Sequence, residues 1–192
     1  MTETPTHSQL QRPMRADARR NYDKLVAAAR EVFTEHGASA SLEAVAERAG
    51  VGIGTLYRRF PTRQALLEAV YADEVDVMAR AARDLAHLSP WEALAEWFHQ
   101  YVGFAATKRA LMDALLEAAP DSDVLIACRT ALAQAGNDLI HRGQEAGVVR
   151  PDVEFIDVGR MVSQIAVAPN TDAEQKNRML GIVLDGLRPR AA

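Results

Sequence analysis

The sequence predicts an all-α protein: an N-terminal three-helix domain containing a helix-turn-helix, joined by a long helix to a second helical domain. Three observations predict this fold class. Apolar residues recur at three- and four-residue spacing in most segments of the 192 residues. Glycine and proline fall between these segments, where helices end. The composition of 48% hydrophobic and 6% aromatic residues suits a helical protein with a buried core.

The chain begins with a segment that we predict to be a disordered arm. Residues 1–14 have no apolar periodicity and contain two prolines. A helix follows from about Asp17 to His36, with Leu25, Ala29 and Phe33 on one face and Gly37 at its end. We predict one domain at 15–66 and a second domain at 67–192.

Residues 41–60 have the features of two helices joined by a tight turn. Ser41 is a suitable N-cap for SLEAVAERA, and Gly50 tolerates the left-handed conformation that ends a helix. A very short helix begins about three residues later and stops before Pro61. This spacing is typical of a helix-turn-helix, in which two helices cross at a steep angle.

The second of these helices has an unusual outward face. Leu56 and Phe60 belong to its apolar side, and no acidic residue occurs from Val51 to Ala65. The side chains on the outward face can hydrogen-bond phosphates or contact base edges, and an apolar one can touch a thymine methyl group. The competing interpretation is a solvated basic turn. The outward residues are Ile53, Gly54, Thr55, Tyr57, Arg58 and Arg59.

The order SLEAVAERAGVGIGTLYRRFPTRQALLEAV resembles the DNA-binding domain of the tetracycline-repressor-like (TetR/AcrR) transcriptional regulators. The resemblance is strong over residues 17–75 and general beyond them. It implies a sequence-specific regulator, with repression as the commoner mode. It also implies that Arg63 contacts phosphate, and we include Ser41 among the expected DNA-contacting residues.

The charge is divided unevenly along the chain. The net charge is -4, yet residues 1–66 contain ten Lys/Arg against seven Asp/Glu, whereas 67–192 contain twelve against nineteen. The basic part is therefore the part that contains the motif. Its moderate charge favours a dimer over a lone domain.

The rest of the chain is predicted to be helical, and the first of these helices is the expected mechanical link between the domains. It begins after Thr62, and Ser89 with Glu92 forms a capping box for the next. A second capping box is expected from Thr171 and Glu174. The predicted helices are Arg63 to about Leu88, Pro90 to about Ala106, Thr107 to Ala119, about Ser122 to Ala146, roughly Phe155 to Ala168 and Thr171 to about Leu187.

The segment from Trp91 to Ala106 is apolar on more than one face, so it could line a cavity for a small apolar or amphipathic effector. An ordinary core without a cavity is the competing interpretation. Cys128, the lone cysteine, excludes an intrachain disulfide, and a buried structural thiol is favoured over a redox sensor. The candidate pocket residues are Met78, Trp97, Phe98, Tyr101, Met112, Leu116, Cys128 and Leu132.

The last two predicted helices are strongly apolar and must bury against something. In proteins that this chain resembles, the corresponding helices pair with their two-fold mates, and a symmetric dimer reads a palindromic operator in double-stranded DNA. The expected interface residues are Phe155, Val158, Met161, Val162, Ile165, Met179, Ile182, Val183 and Leu187.

Catalysis is disfavoured by the same sequence. GVGIG lacks the GxGxxG spacing and a preceding strand, and HExxH and GxSxG are absent. We expect no enzyme activity, no metal and no cofactor. Without an apolar run long enough to span a membrane, the protein is expected in the cytoplasm. An all-helical dimeric binding protein that does not use DNA is the alternative, and neither operator nor effector can be inferred.

Overall fold

The computed structural model describes residues 16–118 and 122–189. Over these residues the protein is all-α, which confirms the predicted fold class. The arm predicted at 1–14 lies outside the described residues. The helices are α1 (Ala16–His36), α2 (Leu42–Ala49), α3 (Ile53–Arg59), α4 (Arg63–Asp84), α5 (Pro90–Ala118), α6 (Asp123–Glu145), α7 (Phe155–Ala166) and α8 (Ala173–Gly186).

The described residues form two compact units. The first contains those of 16–73 and 110–128, and the second contains those of 74–109 and 129–189. The limits therefore fall inside α4, α5 and α6. The domain division at residues 66 and 67 is a different one and stays a prediction.

The core of the first unit is built on the apolar stripe of α1, which packs against α2. Stripe residues at three- and four-residue spacing point to one side of a helix, so they bury together. From the other helices, Val45 of α2 and Leu56 of α3 are fully buried, and Phe60 is nearly so. The buried stripe consists of Leu25, Val26, Ala29, Val32 and Phe33.

The two ends of α2 have the predicted caps. The Ser41 side chain accepts a hydrogen bond from the Ala44 amide at 3.0 Å. Gly50 adopts the left-handed conformation with φ of 66°, and the Val51 amide donates to the Ala46 carbonyl at 3.0 Å. These bonds satisfy backbone groups that a helix terminus otherwise leaves open, and they fix the turn into α3.

The boundaries of α4 and α5 differ from the prediction in two places. The helix α4 ends at Asp84, and a 3₁₀ turn occupies Leu85–His87. The prediction of separate helices meeting at Ala106 and Thr107 is wrong, because α5 continues through this point. No proline or glycine occurs there, and the sequence AATKRALM consists mainly of good helix formers.

Helix starts in the second half of the chain follow capping chemistry. Ser89 and Glu92 form the predicted capping box, with the serine hydroxyl donating to the glutamate at 2.7 Å. The second predicted box is wrong. Asp172 caps α8 by accepting from the Gln175 amide at 2.7 Å, and the Thr171 hydroxyl instead donates to the Ala168 carbonyl. Aspartate accepts such bonds at least as well as threonine.

The core of the second unit is aromatic. Trp97 and Phe98 of α5 are fully buried, and their rings pack with Tyr101 and with Phe155 of α7. The helix α7 also packs against α8. Phe155 fits between two glycines: a Cβ added at Gly136 would lie 2.3 Å from its ring, and one at Gly159 would lie 2.9 Å away.

The burial of α7 and α8 corrects part of the expected dimer interface. Phe155, Val158, Val162, Ile165 and Leu187 are at most 6% exposed within a single chain. Their side chains are thus already covered by the protomer's own core. Of the remaining expected residues, Ile182 is 73% and Met161 48% exposed, while Met179 and Val183 are half-buried.

Candidate functional site

The short helix α3 presents most of the predicted nucleic-acid-binding residues on one surface. Leu56 is fully buried and anchors the helix, which has only seven residues. Tyr57 is 46% and Ile53 38% exposed, so both side chains are accessible from outside the chain. Gly54, Arg58 and Arg59 are also exposed, and Thr55 is half-buried. The structure therefore brings these six residues together.

The guanidinium of Arg59 lies over two aromatic rings. Its guanidinium lies 4.8 Å from the ring centre of Tyr22 in α1 and 5.8 Å from that of Phe60. Burial raises the pKa of Tyr22, and the nearby Arg59 charge opposes that rise. A cation over an aromatic face is attracted to its electrons, so Tyr22 restricts the directions that Arg59 can take. No local sequence pattern indicates this contact, because Tyr22 and Arg59 belong to helices far apart in the sequence.

Arg58 differs from its neighbour. Its Nε donates to the Gly54 carbonyl at 3.3 Å within the same helix, and its side chain remains exposed. Arginine has five donor hydrogens in a planar fork, so this bond leaves the terminal nitrogens for a base edge or a phosphate.

Two predicted contact residues have structural partners. The Ser41 oxygen accepts the cap bond, and its hydroxyl hydrogen can still be donated outward. Arg63 is half-buried, donates to the Ala40 carbonyl and lies with its guanidinium 5.0 Å from the Phe33 ring centre. Both stay predicted DNA contacts, but Arg63 would have to share its donors with Ala40.

A cluster of three charged residues forms salt bridges between α2 and α1. Arg48 donates to Glu31 at 3.0 Å and to Glu35 at 2.8 Å. These hydrogen bonds raise the pKa of Arg48 above its ordinary value and lower that of Glu35. The forked geometry of arginine suits two carboxylates, so the cluster orients α2 and hence the turn before α3. Its members lie seventeen and thirteen residues apart, which no local pattern reveals.

Two known domain families match this chain, one in each half of the sequence. Residues 25–70 match the bacterial regulatory proteins of the tetR family, and residues 89–189 match the C-terminal domain described as transcriptional regulator SbtR-like. The chain belongs to the TetR family of transcriptional regulators. It is therefore a DNA-binding transcriptional regulator, as the sequence predicted.

Individual relatives support the same assignment. A TetR transcriptional regulator from Streptomyces coelicolor is 40% identical, with a TM-score of 0.76 over 88% of this chain and 99% of that one. A TetR regulator from Mycobacterium vanbaalenii is 34% identical, with a TM-score of 0.73 over 92% and 100%. The HTH-type regulator UidR of Escherichia coli is 22% identical over 85% of this chain and 87% of its own.

The described members of the predicted effector set lie in different surroundings in this TetR-family chain, and the set as a whole stays a prediction. Trp97 and Phe98 are fully buried in the aromatic core, and Met78 is 4% exposed. The Trp97 indole donates to the Met78 carbonyl at 3.0 Å, which joins α5 to α4. Cys128 is buried in the first unit, and the side chains of Met112 and Leu116 lie outside the described residues.

The second unit does contain a cleft, between α5, α6 and α7. Its volume is about 360 Å³. Of the predicted pocket residues, Tyr101 and Leu132 contribute to its walls. The full lining consists of Tyr101, Arg129, Leu132, Ala133, Phe155, Ile156, Gly159, Arg160 and Ser163.

One wall of this cleft is polar. The hydroxyls of Tyr101 and Ser163 lie 3.2 Å apart and form a hydrogen bond. Burial raises the pKa of Tyr101, and the bond to Ser163 opposes the rise, so the hydroxyl remains protonated at neutral pH. Arg129, Arg160 and Ser163 were not predicted as pocket residues, because none belongs to an apolar helical face. No short sequence motif contains residues of both α6 and α7, so their proximity required the folded structure.

The described part of the chain has no candidate metal cluster and no candidate membrane span. Among these residues, no group of three or more His, Cys, Asp or Glu side chains is placed to hold a metal ion. No helix within 16–118 or 122–189 combines the length and the apolar character needed to cross a bilayer.

Proposed function

We propose that this regulator is a dimeric repressor that binds a palindromic operator in the cytoplasm and is released by a small-molecule effector. The observation that carries the proposal is the exposed surface of α3. Tyr57, Arg58 and Arg59 project from a helix that is anchored from inside by Leu56, in a stretch without a carboxylate. Exposed donors on such a helix suit a DNA groove.

Within this surface the side chains have different proposed roles. Tyr57 and Arg58 contact bases or phosphates, because each extends into solvent with donors available. Ile53, 38% exposed, provides an apolar contact for a thymine methyl group. Arg59, over the Tyr22 ring, supplies a phosphate contact from a fixed position.

Operator binding tests these roles. A binding sequence is first obtained by selection from random duplex DNA with the purified full chain, and affinity is then measured by fluorescence anisotropy at two salt concentrations. Tyr57→Ala and Arg58→Ala should each weaken binding by about 1–3 kcal/mol. Arg80→Ala removes an exposed arginine of α4 and serves as the matched control. If Arg58 contacts a phosphate, the plot of the logarithm of the binding constant against the logarithm of the salt concentration should also become less steep, by about one in slope.

The result also separates DNA binding from the alternative function. Affinities that remain unchanged in Tyr57→Ala and Arg58→Ala would refute the assigned roles. Weak, sequence-blind and steeply salt-dependent binding by the unaltered chain would favour an all-helical binding protein that does not use DNA.

Dimerisation is assigned to the exposed parts of α7 and α8. Ile182 is 73% exposed and Met161 48%, whereas Leu187 is 2% exposed. Ile182→Glu should give a monomer with unchanged helical circular dichroism, as measured by light scattering after gel filtration. Leu187→Glu places a charge in the core and should lower stability instead. A dimer of unaltered mass in Ile182→Glu would contradict this interface.

A further inference from the structure

The cleft between α5, α6 and α7 has an electrostatic asymmetry. Its lining includes two arginines, Arg129 of α6 and Arg160 of α7, and no aspartate or glutamate. Both side chains are exposed. A concave site lined by one sign of charge raises the local concentration of ligands of the opposite sign. The cleft should therefore prefer an anion.

Three other arginines of the second unit have polar partners within the chain. Arg142 donates to the Leu88 carbonyl, Arg150 forms a forked pair with Asp152, and Arg178 pairs with Glu174. Arg129 and Arg160 form neither an ion pair nor a hydrogen bond with the described residues. Their donors are thus available to a bound group.

The rest of the cleft is apolar or neutral. Leu132, Ala133, Phe155 and Ile156 contribute hydrocarbon and aromatic surface, and the hydrogen-bonded hydroxyls of Tyr101 and Ser163 contribute a neutral polar wall. A volume of about 360 Å³ lies near the lower end of the range, roughly 300–1,000 Å³, of small-molecule sites. A suitable ligand is small and largely apolar, with one anionic group.

We propose that this cleft is the effector site and that the effector is an amphipathic organic anion, with its carboxylate or similar group bound by Arg129 and Arg160. The inference rests on the proposed function, because it identifies the chemical class of the ligand that releases the operator. The apolar body of the ligand lies against Phe155 and Ile156. Charge-assisted bonds from arginine to a carboxylate give orientation as well as affinity.

The aromatic core connects this cleft to α4. Tyr101 and Phe155 line the cleft, and their ring centres lie 5.4 Å and 5.5 Å from that of Trp97. The Trp97 indole donates to the Met78 carbonyl in α4. A ligand that displaces either ring therefore changes the surroundings of Trp97, which makes its fluorescence a direct reporter of occupancy.

The test uses the full chain with Trp91→Phe, which leaves Trp97 as the single tryptophan. Octanoate and 3-phenylpropanoate are titrated separately, each against its neutral amide, so that a chain-like and a ring-containing body are compared. We expect at least one acid to change Trp97 emission saturably and its amide to bind at least tenfold more weakly. Arg129→Ala and Arg160→Ala should each weaken the acid at least tenfold, and the lysine variants should recover part of the loss.

Controls separate the site from general charge effects and from the regulator assignment. Arg80→Ala, outside the cleft, should leave the titration unchanged. Equal binding of acid and amide, binding unaffected by both arginine variants, or no binding of either acid would overturn the proposal. If the unaltered chain bound neither acid and Arg160→Glu changed the molecular mass of the protein, the cleft would be assigned to a second copy of the chain.

Operator release is measured separately, by adding the bound acid to the anisotropy assay. Loss of operator binding on acid addition, abolished by Arg129→Ala, would support the effector role. Acid binding with no effect on a functional operator complex would overturn that role. If the chain never binds a specific operator, the proposed function itself is refuted. The Trp97 titration contains no DNA, so its outcome does not depend on that result.

Discussion

The position of Phe155 makes Gly136 a sensitive point in the second unit. A Cβ at Gly136 would lie 2.3 Å from Phe155 Cδ2 and 2.4 Å from Cγ, closer than atoms of a folded protein approach. The ring cannot retreat freely, because the Phe155 amide donates to the Asn137 side chain at 2.9 Å and the ring packs against Trp97. Gly136→Ala should therefore displace Phe155.

The size of the effect follows from two opposing contributions. Alanine in a helix interior is favoured over glycine by about 1 kcal/mol, whereas overpacking a core costs roughly 1–3 kcal/mol. Gly103, inside α5 and exposed, has nothing within 4 Å of an added Cβ, so Gly103→Ala keeps the gain without the clash. Gly136→Ala should thus be less stable than Gly103→Ala by roughly 1–3 kcal/mol.

Urea unfolding followed by circular dichroism measures this difference. In thermal unfolding it corresponds to roughly 2–4 °C for each kcal/mol in a chain of this size. The Trp97 emission maximum of the folded protein should also shift in Gly136→Ala and not in Gly103→Ala. Equal stability of the two variants, with equal emission, would refute the proposed restriction of Phe155 by Gly136.

Two further predictions concern a cap and a buried hydroxyl. Ser41→Ala should lower the free energy of unfolding by about 1 kcal/mol, whereas Ser41→Asp should keep the cap and weaken operator binding by placing a carboxylate near phosphate; equal operator affinity of unaltered and Ser41→Asp proteins would argue against a DNA contact here. Burial raises the folded pKa of Tyr101, so its contribution to stability is complete below the unfolded pKa of about 10 and is lost as pH rises through the folded value. Tyr101→Phe should therefore flatten the fall in urea midpoint between about pH 9 and about pH 11, and an unchanged slope would contradict this account.

Local signals in the sequence were sufficient for the helix-turn-helix. Ser41 and Gly50 cap α2 as predicted because each acts on backbone groups within a few residues of itself. The inward and outward sides of α3 also followed from helical periodicity. The tertiary interactions of the same region, Arg48 with Glu31 and Arg59 with Tyr22, join residues far apart in sequence and required the folded structure.

The apolar pattern of the last two helices was correct but incomplete. It established that Val158 and Leu187 must be buried, as they are. It could not distinguish burial in the chain's own core from burial against a second copy, because both remove apolar surface from water in the same way. The exposure of Ile182 provides that distinction.

The cleft illustrates a different limit. The predicted pocket was centred on the apolar segment from Trp91 to Ala106, and Trp97 and Phe98 of this segment are fully buried in the core. Space remains instead where the small residues Ala133 and Gly159 meet the edge of the aromatic cluster. A cavity depends on which side chains fail to fill a volume, and composition along one helix does not report that.

The two helices of the DNA-binding motif differ in what holds them. Both ends of α2 are capped, whereas Gly52 offers α3 no side-chain acceptor and Leu56 is its single buried residue. Neither helix is long enough to be stable by itself, so the caps and buried residues decide, and α3 should open and reform more readily than α2. Any such opening would have to be reversed when DNA is bound, so that part of the binding free energy would be used to order this surface.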